Sequence, residues 1–246
     1  MVETSNGKVR GTVQQGAYVF KGLRYADSTA GLNRFMPPVA PKKWAGIQDA
    51  VTWGASAPQL LTALTTDPFF SWYAEIQDVN EDCLFLNLFS SGLGDSKRPV
   101  MVWIHGGGWR ECAGTAPGFN GAALAQRQDV VVITINHRLN AFGFLQLDGS
   151  DDRFADSGNA GMLDIVMALN WVRENVAAFG GDPDNVTLFG ESGGASKIAA
   201  LLAMPAAKGL FHKAILQSSG GGLRLASQED AARMAGNLAK AMGQSV

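Results

Sequence analysis

The chain has 246 residues, of which 46% are apolar, so it is long enough to bury a sizeable hydrophobic core. Its 22 acidic and 20 basic residues nearly balance and form no long run of either sign, which excludes the charge pattern of a nucleic-acid-binding surface. Two cysteines, Cys83 and Cys112, exclude a disulfide framework and a cysteine-rich metal site, and we expect neither a metal ion nor a cofactor.

The first ninety residues predict short strands and loops. Residues 8–13 and 17–20 are strand-like segments on either side of Gly16, which is typical of a β-hairpin. Residues 31–38 predict a loop that ends in two prolines. Residues 58–80 predict an irregular segment whose aromatic side chains either line a pocket or cover an edge of the core: Phe69, Phe70, Trp72 and Tyr73.

From residue 84 onward the pattern changes to apolar strands that alternate with helices. Residues 84–89, 100–105 and 130–136 predict strands, and the last two are apolar at nearly every position. Residues 122–127 predict a short helix. Because strands that are apolar on both faces suit a sheet covered on both sides, we expect a mostly parallel central sheet flanked by helices.

The second half of the chain continues this alternation. The predicted elements are a helix from about 159 to 179, a strand at 186–189, a helix at 192–203, a strand at 213–218 and a helix from the capping residue Ser227 to Gly243. No linker interrupts them, so we expect residues 1–246 to form a single α/β domain.

Residues 190–194 read Gly-Glu-Ser-Gly-Gly and join a predicted strand to a predicted helix. A serine on such a sharp turn is held out of the sheet with its hydroxyl exposed, and Gly190 and Gly194 leave room for the neighbouring strand and helix. The helix N-terminus that follows favours a negative charge. Ser192 is therefore the candidate catalytic nucleophile, although an ordinary turn explains the pentapeptide alone equally well.

A glycine triplet follows a second buried strand, in the sequence His105-Gly106-Gly107-Gly108-Trp109. A carbonyl attacked by Ser192 would become an oxyanion, which needs closely spaced N–H donors that no side chain obstructs, and consecutive glycines on a loop can supply them. Ligands bind at the carboxyl ends of strands in open α/β sheets, where both motifs stand. Together they predict acyl-transfer chemistry, whereas the triplet alone would fit a flexible turn.

Six segments spread over the chain form a joint pattern: 81–87 (EDCLFLN), 105–109 (HGGGW), 136–144 (NHRLNAFGF), 158–164 (GNAGMLD), 190–194 (GESGG) and 214–218 (AILQS). Together they resemble the type-B carboxylesterase/lipase family of α/β-hydrolases, which includes the cholinesterases, and their wording is closest to bacterial members. The resemblance implies an α/β-hydrolase fold whose C-terminal part is missing, because family members are about twice as long.

The resemblance also implies roles for individual residues. Ser192 would be the nucleophile that forms an acyl-enzyme, and the N–H groups of Gly107, Gly108 and Gly193 would form the oxyanion hole. Glu191 matches a buried family carboxylate that helps to organise the site. Much of the family has alanine where this chain has Gly193, but the N–H donor remains.

Structural ion pairs and a disulfide of the family can also be compared with this sequence. The resemblance implies two ion pairs, Arg34 with Glu81 and Arg138 with Asp164, which we interpret as buried scaffold. Many secreted members pair the cysteine that corresponds to Cys83 with an upstream cysteine, but residues 59–61 contain none. The family disulfide is therefore not expected, and a bridge from Cys83 to Cys112 has no support.

The sequence provides no obvious general base for Ser192. α/β-Hydrolases carry their triad in the order serine, acid, histidine, but His105 and His137 precede the serine. His212 follows it, yet no Asp or Glu lies between the two, so we interpret His212 as structural. We therefore expect a truncated or split chain without the triad acid and histidine, whose strand 213–218 leaves an uncovered apolar edge.

The leading hypothesis is a carboxylic ester hydrolase that acts on small-molecule esters with an apolar acyl or alcohol part. A complementary C-terminal half is the expected partner, with self-association as another possibility. The alternative is a catalytically dead hydrolase-like module that binds a ligand or a protein. The N-terminus lacks the features of a signal peptide and no apolar run reaches a membrane span, so we expect a cytoplasmic protein without a membrane partner.

Overall fold

The computed structural model describes residues 1–60, 76, 78–147, 151–219 and 225–244. The predicted aromatic cluster of Phe69, Phe70, Trp72 and Tyr73 lies outside these residues. The strands are β1 (Val2–Glu3), β2 (Lys8–Arg10), β3 (Thr12–Gln14), β4 (Ala17–Arg24), β5 (Ile47–Asp49), β6 (Phe85–Ser90), β7 (Arg98–Ile104), β8 (Val131–Ile135), β9 (Gly181–Glu191) and β10 (Lys213–Gln217). The α-helices are α1 (Ala122–Gln128), α2 (Asn140–Phe144), α3 (Ala160–Asn175), α4 (Gly193–Ala203) and α5 (Gln228–Ala241).

A seven-stranded sheet in the order β10-β9-β7-β8-β6-β4-β3 forms the centre of the described chain. The four strands β10, β9, β7 and β8 run parallel, whereas β6, β4 and β3 are added antiparallel. The parallel part contains the predicted continuous apolar strands, and every residue of β8 is buried. The prediction of an α/β-hydrolase sheet flanked by helices is confirmed, with its parallel arrangement confined to the half that carries both glycine motifs.

Helices cover both faces of the sheet. Val102, Ile133 and Leu188 are paired across β7, β8 and β9, so they share a face, and they pack in one core with residues of α3 and α4. The opposite face packs against α1 in a second core that includes Val132. The predicted long helix is confirmed as α3 followed by a short 3₁₀ turn, and it ends at Gly180, whose φ of 86° is the left-handed conformation that glycine tolerates.

The predicted N-terminal hairpin is confirmed in part. β3 and β4 pair antiparallel around Gly16, but residues 8–13 do not form one strand. Their first part is β2, which belongs to a separate sheet of order β1-β2-β5. The chain changes sheets at Gly11, where a Cβ would lie 2.4 Å from the carbonyl oxygen of Val19. Close backbone contact at this glycine therefore divides a segment that the sequence pattern presents as continuous.

β10 is the terminal strand of the sheet among the described residues. Its side chains Ile215 and Leu216 are 46% and 38% exposed, which agrees with the expected uncovered edge. The following helix α5 is capped as predicted, because the Ser227 hydroxyl accepts a hydrogen bond from the Asp230 N–H at 3.1 Å. Among the described helices, none is long and apolar enough to cross a membrane.

Both implied ion pairs are present, but only one is buried. Arg138 and Asp164 are 2% and 0% exposed and meet at 2.6 Å, whereas Arg34 remains 44% exposed beside Glu81. The expectation of two buried pairs is therefore corrected, because Arg34 lies in a surface loop, whereas Arg138 lies between β8 and α2 and packs against Asp164 of α3. The two cysteines are buried and form no disulfide.

Candidate active site

Ser192 lies at the turn between β9 and α4, in the backbone conformation expected of a nucleophile elbow. Its φ of 53° and ψ of −119° are outside the regions that non-glycine residues normally occupy. Two hydrogen bonds maintain this conformation: the Ser192 N–H donates to the Gln217 carbonyl at 2.8 Å, and its carbonyl accepts from the Ser196 N–H at 3.0 Å. The strained residue is thus fixed by β10 on one side and by α4 on the other.

The glycines on either side of Ser192 allow a close contact with β7. A Cβ at Gly194 would lie 2.0 Å from the carbonyl oxygen of Ile104, and one at Gly190 would lie 2.6 Å from the same oxygen. Neither distance is compatible with a side chain. Since Ile104 is the last residue of β7, the glycine loop that follows it begins directly against the elbow.

The glycine loop turns sharply back toward α4. Gly107, Gly108 and Trp109 have φ angles of 84°, 59° and 70°, and the Gly107 carbonyl accepts hydrogen bonds from the N–H groups of Arg110 and Glu111 at 3.0 and 3.2 Å. Three consecutive residues with positive φ bend the loop into a tight curve.

The glycine loop and the elbow meet at Gly193. The amide nitrogen of Gly108 lies 2.8 Å from the point that a Cβ of Gly193 would occupy. The structure therefore places Gly108 of the glycine loop against Gly193, the residue that follows Ser192. A Cβ at position 193, such as that of the alanine common in the family, would press against the Gly108 backbone in this arrangement, so the loop would have to shift to accept it.

Glu191 lies at the end of β9, beside Gln217 of β10. It is half-buried, whereas the resemblance implies a buried carboxylate. The neighbouring strand β10 is the terminal strand of the described sheet, so nothing beyond it in the described residues covers this position.

None of the three histidines hydrogen-bonds Ser192 within the described residues. His212 instead pairs with β9: its N–H donates to the Val186 carbonyl at 2.8 Å, and its Nδ1 accepts from the Val186 N–H at 3.1 Å. This arrangement supports the prediction that His212 is structural.

His105 and His137 form a buried stacked pair beneath the glycine loop. Their rings are parallel with centroids 4.7 Å apart, and the Nδ1 atoms lie 3.0 Å from the Gly106 carbonyl and 2.9 Å from the Arg138 carbonyl. Burial, with a smaller contribution from Lys197, lowers the pKa of His105 to about 3 and the pKa of His137 well below its usual range. Both imidazoles are therefore neutral near pH 7 and suit a structural role.

Lys197 is a residue near the site that the sequence analysis missed. Its side chain on α4 is completely buried, and its Nζ donates to the His105 carbonyl at 3.2 Å. The spacing could have revealed it, because Lys197 lies three residues after Gly194 and four before Leu201, both on the buried face of the helix. Desolvation lowers the pKa of Lys197 to about 7, against a smaller opposing effect of Cys112.

No group of three or more His, Cys, Asp or Glu side chains that could hold a metal ion occurs in the described part of the chain. The polar groups near Ser192 include backbone N–H groups, its own hydroxyl, the Glu191 carboxylate and the buried Lys197 amine. Such a set can stabilise a developing oxyanion by hydrogen bonds, which is the requirement of acyl transfer.

Comparison with known proteins gives one consistent result. The matching family is described as "Carboxylesterase family", over residues 1–245. The chain is 45% identical over 243 residues to the para-nitrobenzyl esterase of Bacillus subtilis (strain 168), covering 99% of this chain and 48% of that protein. The phenmedipham hydrolase of Pseudarthrobacter oxydans is 39% identical with the same coverage.

Solved structures agree with the sequence relatives. The carboxylesterase EST55 of Geobacillus stearothermophilus superimposes with a TM-score of 0.89 at 44% identity, over 99% of this chain and 48% of that chain. A thermophilic pNB esterase gives a TM-score of 0.90 at 44% identity, over 99% of this chain and 49% of that chain. The chain thus spans about half the length of the relatives it matches.

Proposed function

Because the chain belongs to the carboxylesterase family, we propose that it supplies the nucleophile and the oxyanion hole of a carboxylic ester hydrolase. Ser192 is the nucleophile, and the N–H groups of Gly107, Gly108 and Gly193 are the oxyanion donors. The observation that carries this proposal is the contact between Gly108 and Gly193 directly beside the strained elbow serine. Glu191 is the supporting carboxylate in the proposal.

In the proposed reaction, the Ser192 hydroxyl attacks the ester carbonyl and transfers its proton to a base. The carbonyl oxygen becomes a tetrahedral oxyanion, which the three glycine N–H groups stabilise. Collapse of the intermediate expels the alcohol and leaves an acyl group on Ser192, and a water molecule then attacks this acyl-enzyme to release the acid. The donors act most strongly in the transition state, where the charge on the oxygen is largest.

We propose that the general base and its acid come from residues beyond this sequence. The pairing of His212 with β9 and the stacking of the other two histidines support this proposal, since no histidine hydrogen-bonds Ser192 in the described part of the chain. The exposed side chains of β10 support a complementary C-terminal half as the source, because they need an apolar partner. Self-association through the same edge is the competing arrangement.

The proposed substrates are small carboxylic esters with an apolar acyl or alcohol part. The name of the related para-nitrobenzyl esterase favours benzyl esters, and the family shared with it supports transfer of this preference as a hypothesis. The competing function is a hydrolase-like module that binds without catalysis, and its supporting observation is that no histidine hydrogen-bonds Ser192 among the described residues.

Labelling with a fluorophosphonate probe tests the nucleophile directly. We expect the chain to be labelled at Ser192, Ser192→Ala to remain unlabelled, and the matched surface variant Ser96→Ala to label like the native chain. Turnover of a p-nitrophenyl ester should be low for the chain alone and should rise when the C-terminal half of a related esterase is added. No labelling in either state would favour the binding module, whereas high turnover of the chain alone would refute an external base.

A further inference from the structure

The buried amine of Lys197 lies directly under the glycine loop. Besides its hydrogen bond to the His105 carbonyl, its Nζ is 5.3 Å from the centre of the Trp109 ring. His105 and Trp109 are the residues immediately before and after the glycine triplet. One side chain on α4 therefore contacts both ends of the loop.

Lys197 has no carboxylate within ion-pair distance in the described part of the chain. Burial of an amine without an opposite charge is unfavourable, and an apolar side chain of similar length would fill the same space without that cost. Core packing alone therefore does not account for a lysine at this position. The contacts with His105 and Trp109 give the amine a function that methionine could not replace.

The glycine loop needs an external anchor. Its three glycines have no side chains to pack, and glycine has the largest backbone freedom to lose when a loop is ordered. Gly193 is the first residue of α4, and Lys197 lies about one turn later on the same helix. A bond from Lys197 to the loop therefore fixes two donors, Gly107 and Gly108, relative to the third.

We propose that Lys197 is a positioning residue of the oxyanion hole: its amine ties α4 to both ends of the glycine loop and holds the Gly107 and Gly108 N–H groups beside Gly193. This inference rests on the proposed function of the site. The amine also places a positive charge behind the loop, where it favours an oxyanion on the other side. No covalent step involves Lys197.

The contacts of the Lys197 amine with the glycine loop depend on pH near neutrality. The titratable groups that affect Lys197 or are affected by it are His105, His137 and Cys112. His105, with a pKa of about 3, stays neutral above pH 5, and burial also holds the pKa of His137 well below its usual range. The amine, whose pKa is about 7, is therefore the group that changes charge between pH 6 and pH 8. Loss of its proton removes the cation–π attraction to the Trp109 ring, so the contact between Lys197 and the glycine loop is weaker at high pH.

The test compares Lys197→Met with Lys197→Arg and with the exposed control Lys208→Met. Amide hydrogen exchange of the peptide that contains residues 104–112 reports the loop without any need for activity. The rate constant of fluorophosphonate labelling at Ser192 reports the oxyanion hole. We expect Lys197→Met to accelerate amide exchange in the loop and to slow labelling of Ser192 about tenfold. The labelling rate of this variant should also lose its pH dependence around pH 7. Lys197→Arg should restore part of the labelling rate.

A purely structural lysine would give a different pattern. In that case, labelling would fall only with the folded fraction, whereas we expect Lys197→Met to melt no lower than the native chain because it removes a buried charge. Native loop exchange in Lys197→Met would overturn the proposal, as would a labelling rate equal to that of Lys208→Met. If no variant labels at Ser192, even after the C-terminal half of a related esterase is added, the proposed function fails while the exchange measurement still decides the role of Lys197.

Discussion

The buried pair Arg138–Asp164 offers the most quantitative test of what stabilises the scaffold. The Arg138 Nε and Nη2 atoms donate to the two carboxylate oxygens of Asp164 at 2.8 and 2.6 Å, and the Arg138 N–H adds a third bond at 3.0 Å. A fourth bond joins Nη1 to the Met36 carbonyl at 2.7 Å. Replacement of Arg138 by Ala removes the guanidinium and its two bonds to Asp164 and leaves the buried carboxylate with only the N–H donor of residue 138, which costs about 3–5 kcal/mol.

That loss is a large fraction of the roughly 5–15 kcal/mol by which domains are typically stable. Burial already raises the pKa of Asp164 despite the guanidinium, so loss of Arg138 should raise it further. A carboxyl whose folded pKa is raised loses stability as the pH rises above its unfolded pKa of about 4. We therefore expect the destabilisation by Arg138→Ala to be larger at pH 7 than at pH 5.

Urea unfolding followed by circular dichroism measures this effect, with Arg34→Ala as the matched control. Arg34 also pairs with a carboxylate through two bonds, but it is 44% exposed, so its loss should cost less than about 1 kcal/mol. The double variant Arg138→Met/Asp164→Leu should recover much of the stability. Equal losses in Arg138→Ala and Arg34→Ala would refute the argument that burial makes the first pair essential.

Three further predictions concern the elbow, the histidine pair and the sheet edge. Gly194→Ala should lower the melting temperature strongly, because its Cβ would lie 2.0 Å from the carbonyl oxygen of Ile104. Gly236→Ala in α5 is the control: its Cβ would have no atom within 4 Å, so it should stabilise the protein by about 0.5–1 kcal/mol. Equal effects of the two variants on thermal melts would contradict the packing argument. The free energy of unfolding should fall as the pH drops from 6.5 to 5, by about 2 kcal/mol from His105 alone. The reason is that the imidazole gains a proton in the unfolded chain but not in the folded one, where its pKa is about 3. Urea midpoints that stay unchanged over this pH range would refute this prediction. Ile215→Lys should reduce self-association, seen by light scattering, with little change in melting temperature, and undiminished association would exclude this edge as its origin.

The parts of the fold that the sequence predicts well are those set by local patterns. Continuous apolar strands such as β8 and the glycines around Ser192 carry their structural meaning within a few residues. The antiparallel addition of β6 could not be predicted, because strand direction depends on neighbours far away in the chain. The division of residues 8–13 at Gly11 likewise depends on the distant Val19 carbonyl.

The candidate site shows the same division between local and distant information. The positions of Gly107, Gly108 and Gly193 follow from motifs with a fixed geometry. Lys197 was missed because lysine is normally a surface residue, and only its spacing on the buried face of α4 indicated otherwise. The limited burial of Glu191 depends on what lies beyond β10, which no local pattern describes.

The hydrogen bond from the Ser192 N–H to the Gln217 carbonyl connects the chemistry of this protein to its assembly. Gln217 belongs to β10, the terminal strand of the described sheet, so the peptide that fixes the nucleophile is part of the strand that an added segment would pair with. Addition of such a segment would order β10 and, through this one bond, Ser192. Exchange of the Ser192 amide proton should therefore slow when a further strand pairs with β10, so its rate measures whether the sheet has been extended.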